Sequence, residues 1–157
     1  MAFVSVKPET IVQTMISGTS KENVIEIFNR SIQAVNPYEA VTLHADIIRS
    51  EYVRGNFRRL ILIAFGKAAS QMALSVDDKA GDLLTGGIIV TKYGHLAQEY
   101  RNSKIAVYEA GHPLPDANGL RAAKEIMRMI NGADKETLFI CLISAPSGEK
   151  DHITGAA

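Results

Sequence analysis

Residues 60–70 read Leu-Ile-Leu-Ile-Ala-Phe-Gly-Lys-Ala-Ala-Ser, LILIAFGKAAS. Six apolar residues in a row without alternation are the pattern of a strand covered on both faces. Gly66 makes a turn, and the small residues after Lys67 suit the start of a helix. Ala69, Met72, Ala73, Val76 and Ala80 then recur at helical spacing. The segment therefore reads as a buried strand feeding a helix, with a lysine at the strand's exit.

Working outward, the spacing predicts strands near residues 60–65, 87–91, 105–109 and 138–143. Gly86-Gly87 opens the second. Asp116 is placed to cap a helix that turns Leu120, Ala123, Met127 and Ile130 inward and ends at Asn131-Gly132. Upstream, Thr19 and Glu22 have capping-box spacing, followed by Val24, Phe28, Ile32 and Val35 at helical intervals. Asn36-Pro37 stops that helix and starts another, with Val41, Ala45 and Ile48 as its buried stripe. Residues 1–18 are weakly patterned, with one short helix expected near Glu9–Ile16. Helices, then strand, helix, strand, strand, helix, strand predict an α/β sandwich with a mostly parallel sheet in one domain over residues 1–157. The link from Thr91 to Ile105 is short for a helical crossover, so one strand pair is open to being antiparallel.

The composition narrows the function classes. The 157 residues carry 17 Lys+Arg against 17 Asp+Glu, a net charge of zero that argues against nucleic-acid or acidic-membrane binding by bulk charge. No apolar run approaches the roughly 18 residues of a membrane span. Cys141 is the single cysteine and cannot form an internal disulfide. Its apolar neighbours predict a buried thiol in a reducing compartment. The first ten residues, MAFVSVKPET, lack a secretory layout, which with the lone cysteine predicts a cytoplasmic protein.

Ligands of open α/β sheets bind outside the carboxyl ends of the strands. Those ends are Gly66-Lys67, Thr91-Lys92, Glu109 to His112, and Ser144. Lys67 is the strongest candidate, because an ammonium beside a helix N-terminus makes an anion site. A Walker A loop is excluded, since it would need glycine at Ile61 and Ser or Thr at Ala68. In EAGHPLPDANG, residues 109–119, Pro113 and Pro115 stiffen the path and hold His112 at a strand end, where an imidazole suits acid–base work near neutral pH. Asp116 is read as a cap alone. His44, His95 and His152 have weaker placements, no pair has metal-ligand spacing, and no GxGxxG supports a nicotinamide site.

Four blocks in order carry a resemblance: GKAASQMA after the apolar strand, TGGIIVTKYG, YEAGHPLPDANGLRAA, and LFICLIS. From about Ile25 to Ser144 the chain resembles the N-terminal domain of the glycerate 2-kinases, two-domain enzymes once labelled hydroxypyruvate reductases. The resemblance implies a three-layer α/β/α Rossmann-like domain. It also implies ATP-dependent phosphorylation of the small molecule D-glycerate to 2-phosphoglycerate with Mg2+, in a cleft facing a second, C-terminal domain. Lys67 matches the cleft lysine and is the expected catalytic group. Gly66, Lys67, His112 and Ser144 are the expected substrate-binding set, with ATP and metal ligands unassigned.

The family pattern continues from Ser144 into a glycine-rich run, which here is replaced by the tail APSGEKDHITGAA. Such a run is a natural phosphate cradle. The expectation is therefore a shortened chain without the C-terminal domain, with an atypical tail over 145–157 and inactive by itself. It is also expected to expose an apolar interface patch and to associate into a homodimer or larger species. Two alternatives stand beside this: a non-catalytic remnant that binds an anion or a partner chain, and a hydroxypyruvate reductase, against which the missing dinucleotide fingerprint counts.

Overall fold

The computed structural model describes residues 19–97 and 100–144. The helix expected near Glu9–Ile16, the tail over 145–157 and His152 lie outside them. The chain divides into two compact units, Met1–Asn36 and Pro37–Ala157.

The first unit contributes α1, Ser20–Ala34. Its start is the expected capping box: the Thr19 N–H donates to Glu22 Oε2 at 2.8 Å, and the Glu22 N–H to Thr19 Oγ1 at 3.4 Å. The Thr19 N–H, then the Thr19 hydroxyl, favour the ionised carboxylate and hold Glu22 below its usual range. The apolar stripe is in place but α1 buries no residue; Val24 and Phe28 are both more than three-fifths exposed.

The second unit runs α2 (Pro37–Arg54), β1 (Arg59–Gly66), α3 (Ala69–Ala80), β2 (Leu84–Lys92), β3 (Ile105–Ala110), α4 (Ala117–Asn131) and β4 (Thr137–Ser144). The four strands form one sheet in the order β3-β2-β1-β4, all neighbours parallel. The α/β fold with a parallel sheet is as the pattern predicts. The β2–β3 pair is parallel rather than antiparallel, with Gly87 opposite Ile105 and Lys92 opposite Ala110. Returning along β3 requires about 20 Å, and residues 93–104, if extended, reach about 40 Å. The link needs no helix, and its described residues form turns and bends.

Strand β2 begins three residues earlier than its glycine pair suggests. A Cβ on Gly87 would lie 2.3 Å from the Leu62 carbonyl oxygen. The glycine is thus inside the strand, at a close approach of β1, rather than at its opening.

One face of the sheet is the main core. Leu60, Leu62 and Ala64 of β1 meet Ala69, Ala73, Val76 and Ala80 of α3, with Leu84, Ile89, Ile105 and Leu142 completing the cluster. Helix α2 packs beside α3, burying Ala45 and laying Val41, Ile48 and Tyr52 against the cluster. A Thr42 Oγ1 to Ser75 Oγ hydrogen bond at 2.8 Å fastens the two helices, and the Arg49–Asp82 ion pair at 2.6 Å ties α2 to the turn after α3.

Helix α4 covers the opposite face over β3 and β2. Two expectations are corrected there. The helix turns Ala122, not Leu120, Ala123, Met127 and Ile130, to the sheet; Leu120 and Met127 are over half exposed. A close approach selects small residues: a Cβ on Gly119 would sit 3.6 Å from the Ala110 Cβ. Cys141 is exposed rather than buried. It lies on edge strand β4, two positions from the exposed Ile143 on the same face, while α4 sits over β3 and β2. No helix among the described residues is long and apolar enough to cross a membrane.

Candidate active site

With all four strands parallel, their carboxyl ends open on one side. A cavity of about 460 Å³ lies there, and Gly66, Lys67, His112 and Ser144 all line it, together with Thr91 and Lys92. The four residues expected from sequence are brought together.

The turn after β1 is shaped by its contact with β4. Gly66 has φ of +109°, and a Cβ on it would stand 2.0 Å from the Ser144 carbonyl oxygen, so only glycine fits. The Ala68 N–H donates to Ser144 Oγ at 3.3 Å, and Thr91 Oγ1 donates to the Lys67 carbonyl at 3.3 Å. Thr91 is buried, so its hydroxyl is committed to the backbone. The Lys67 backbone is therefore held by a bond on each side while its side chain stays exposed. Helix α3 starts next to it with Ala68 as N-cap and no side-chain capping bond. First-turn amides without a capping side chain favour an anion.

Among the described residues, no ion pair includes Lys67, Lys92 or His112. The carboxylate that sequence placed at the end of β3 is used elsewhere: Glu109 Oε1 accepts from the Gly94 N–H at 2.6 Å. Around the cavity there are thus two ammonium groups, an imidazole and two hydroxyls, that of Thr91 bonded to the Lys67 carbonyl.

The loop after β2 is folded back by Ser70, fully buried in α3. Its Oγ donates to the His95 carbonyl at 3.0 Å and accepts from the Ala97 N–H at 2.9 Å. His95 lines a second hollow of about 410 Å³ that Lys67 also borders, while His44 is exposed on α2. Ser70 was missed in the sequence because a serine in an alanine-rich helix looks like filler.

His112 sits in the loop between β3 and α4, half-buried, with a cis bond to Pro113. Asp116 caps α4 as expected, Oδ1 accepting from the Gly119 N–H at 2.8 Å. It does more: Tyr93 Oη donates to Asp116 Oδ2 at 2.7 Å. The Gly119 N–H, then the Tyr93 hydroxyl, hold the Asp116 carboxyl below its usual range, and the Tyr93 hydroxyl is raised in turn, mainly by the Asp116 bond.

Residues 23–148 match the family described as a domain of unknown function, DUF4147. The chain belongs to this family, the N-terminal domain of the glycerate 2-kinases. A D-glycerate 2-kinase of Thermotoga maritima is 34% identical over 124 residues, covering 79% of this chain and 28% of that protein. The crystal structure of a glycerate kinase from Thermotoga maritima aligns with a TM-score of 0.57 at 35% identity, covering 74% of this chain and 26% of that one. The name hydroxypyruvate reductase also occurs, on a protein of Agrobacterium vitis 32% identical over 126 residues, 80% of this chain and 26% of its own length. The chain thus spans between a quarter and a third of the length of each of these three proteins.

Proposed function

We propose that this chain is the N-terminal part of an ATP-dependent glycerate 2-kinase and supplies the anion-holding half of its site. The observation that carries the reading is the cavity at the carboxyl edge of the sheet, where Lys67, Lys92 and His112 have no carboxylate ion-pair partner among the described residues. A glycerate carboxylate, or a phosphate oxygen, is what such a set accepts.

The reaction joins the substrate's C2 oxygen to the terminal phosphorus of ATP, breaks the bond to ADP, and releases the hydroxyl proton. Most of the catalysis of such transfers is positioning and charge neutralisation. In this reading Lys67 neutralises the acidic group of D-glycerate. The open amides at the start of α3 add to the field, and Ser144 and Thr91 keep the Lys67 backbone still. His112 stands at the cavity wall, placed to take the hydroxyl proton.

ATP as donor, magnesium as its counter-ion and a cytoplasmic setting belong to the same proposal. Among the described residues no three His, Cys, Asp or Glu side chains group as metal ligands. Magnesium needs no such cluster when nucleotide phosphates and water supply most of its ligands, and no step is routed through it. The sequence lacks a dinucleotide fingerprint, so reduction of hydroxypyruvate is the weaker reading. The exposed apolar residues of α1 and α4 support self-association of the 157-residue chain, which sedimentation at rising concentration reads directly.

The test is a titration with D-glycerate followed by backbone amide shifts. Saturable shifts at Gly66, Lys67, Ala68 and Ser144, abolished by Lys67→Ala with the fold intact, are expected. No saturation, or saturation unchanged by Lys67→Ala, overturns the reading. In a coupled ATP-consumption assay the 157-residue chain alone is expected to turn over no glycerate.

A further inference from the structure

The link between β2 and β3 carries no helix in its described residues, yet the two strand exits are tied together. Tyr93 follows Lys92 directly, and Asp116 lies four residues beyond His112. Besides the Tyr93–Asp116 bond, Asn118 Nδ2 donates to Tyr93 Oη at 2.9 Å and to the Glu109 carbonyl at 3.3 Å. The Tyr93 N–H donates to the Ala110 carbonyl at 3.4 Å. Glu109 completes the knot through its bond to Gly94.

Core packing does not account for Tyr93, which is 49% exposed. Capping does not account for it either, because Asp116 caps α4 with its other oxygen. What the hydroxyl does is join the loops after β2 and β3, next to Lys92 at the end of β2 and His112 beyond β3, which both line the same cavity. Gly111 tightens the second loop: a Cβ there would meet the Leu114 carbonyl oxygen at 2.5 Å.

We infer that Tyr93, Asp116 and Asn118 form a polar latch that sets the spacing of Lys92 and His112, and that this latch positions the cavity for an anionic ligand. The inference rests on the cavity's being the anion site proposed above. The three are positioning residues, since none of them lines the cavity.

Tyr93→Phe removes the hydroxyl and keeps the ring. Two measurements on the 157-residue chain decide the matter, with Lys67→Ala alongside. Amide exchange in Tyr93→Phe is expected to rise about tenfold at residues 93–95 and 110–112, with β1 amides unchanged, as loss of one or two hydrogen bonds would give. D-glycerate affinity is expected to fall about fivefold to tenfold, with the melting temperature lowered by no more than a few degrees. Asp116→Asn added to Tyr93→Phe should cost little further affinity, because both act through one bond. A scaffold-only role would lower the melting temperature and leave affinity alone, and that outcome overturns the latch. So does unchanged exchange in both loops. If the unaltered chain binds no D-glycerate, the functional reading fails, while the exchange result still decides whether the latch exists.

Discussion

Helices α3 and α4 flank the same sheet on opposite faces, and they are buried by different means. In α3 the residues at helical spacing are those inside: Ala69, Ala73, Val76 and Ala80 are all fully buried. In α4 the large apolar side chains stand outside, with Leu120 at 58% and Met127 at 54%, and the small Ala122 is buried. Apolar periodicity marks a helix face reliably. It does not say whether that face meets the chain's own sheet or something else, and close packing on a sheet favours small residues over large ones.

The sharpest way to break that comparison is at the turn between β1 and α3. Gly66→Ala would drive a Cβ into the Ser144 carbonyl at a φ that side chains avoid. The expected cost is about 3 kcal/mol or more, read as a fall of roughly 10 °C in melting temperature or as failure to fold. Gly94 also has positive φ, +72°, but nothing lies within 4 Å of its added Cβ. Gly94→Ala should cost only about 1 kcal/mol. Equal effects would mean that close approach is not what fixes Gly66.

A second pair tests the two faces directly. Leu62→Ala empties a fully buried position beneath α3 and should destabilise by about 2–5 kcal/mol. Leu120→Ala on α4 should stay within about 0.5 kcal/mol. Chemical denaturation of both variants measures the difference. A Leu120→Ala cost close to that of Leu62→Ala, in dilute chain, would show that the α4 stripe is covered after all.

Much of this was legible in the chain. The unbroken run Leu60–Phe65 gave a strand covered on both faces, because such a strand has no polar side to show. Strand exits located Lys67, His112 and Ser144 without reference to any structure, because parallel strands must end on one side. What was not legible has a physical cause in each case. Cys141 and Ile143 look like core in sequence; their exposure depends on which strand is at the edge, a property of strand order. The direction of β3 depended on whether a helix-free loop could span the return path. The bond from Tyr93 to Asp116 joins residues 23 apart through two loops, and neither loop has a period to read.

The smallest expected effect concerns Asp116, the residue that serves both the α4 cap and the latch. Its carboxyl is held below the ordinary 3.8 first by the Gly119 N–H, then by the Tyr93 hydroxyl. A group with a depressed folded pKa stabilises the fold fully above its unfolded pKa, and that contribution is lost as pH falls through the folded value. The window therefore lies below about pH 4. Asp82, paired with Arg49, and Asp134, bonded to Thr137, are depressed in the same sense and lose their contributions in the same range. Asp116→Asn keeps a side-chain oxygen able to cap but has no carboxyl to titrate. The variant should thus be slightly less stable than the parent at neutral pH, and the gap should close as pH is lowered below 4. Melting temperatures of the two chains between pH 3 and 7 measure this. A gap that stays constant, or widens in acid, would show that Asp116 contributes through shape alone and that the two loops are not joined by a charged acceptor.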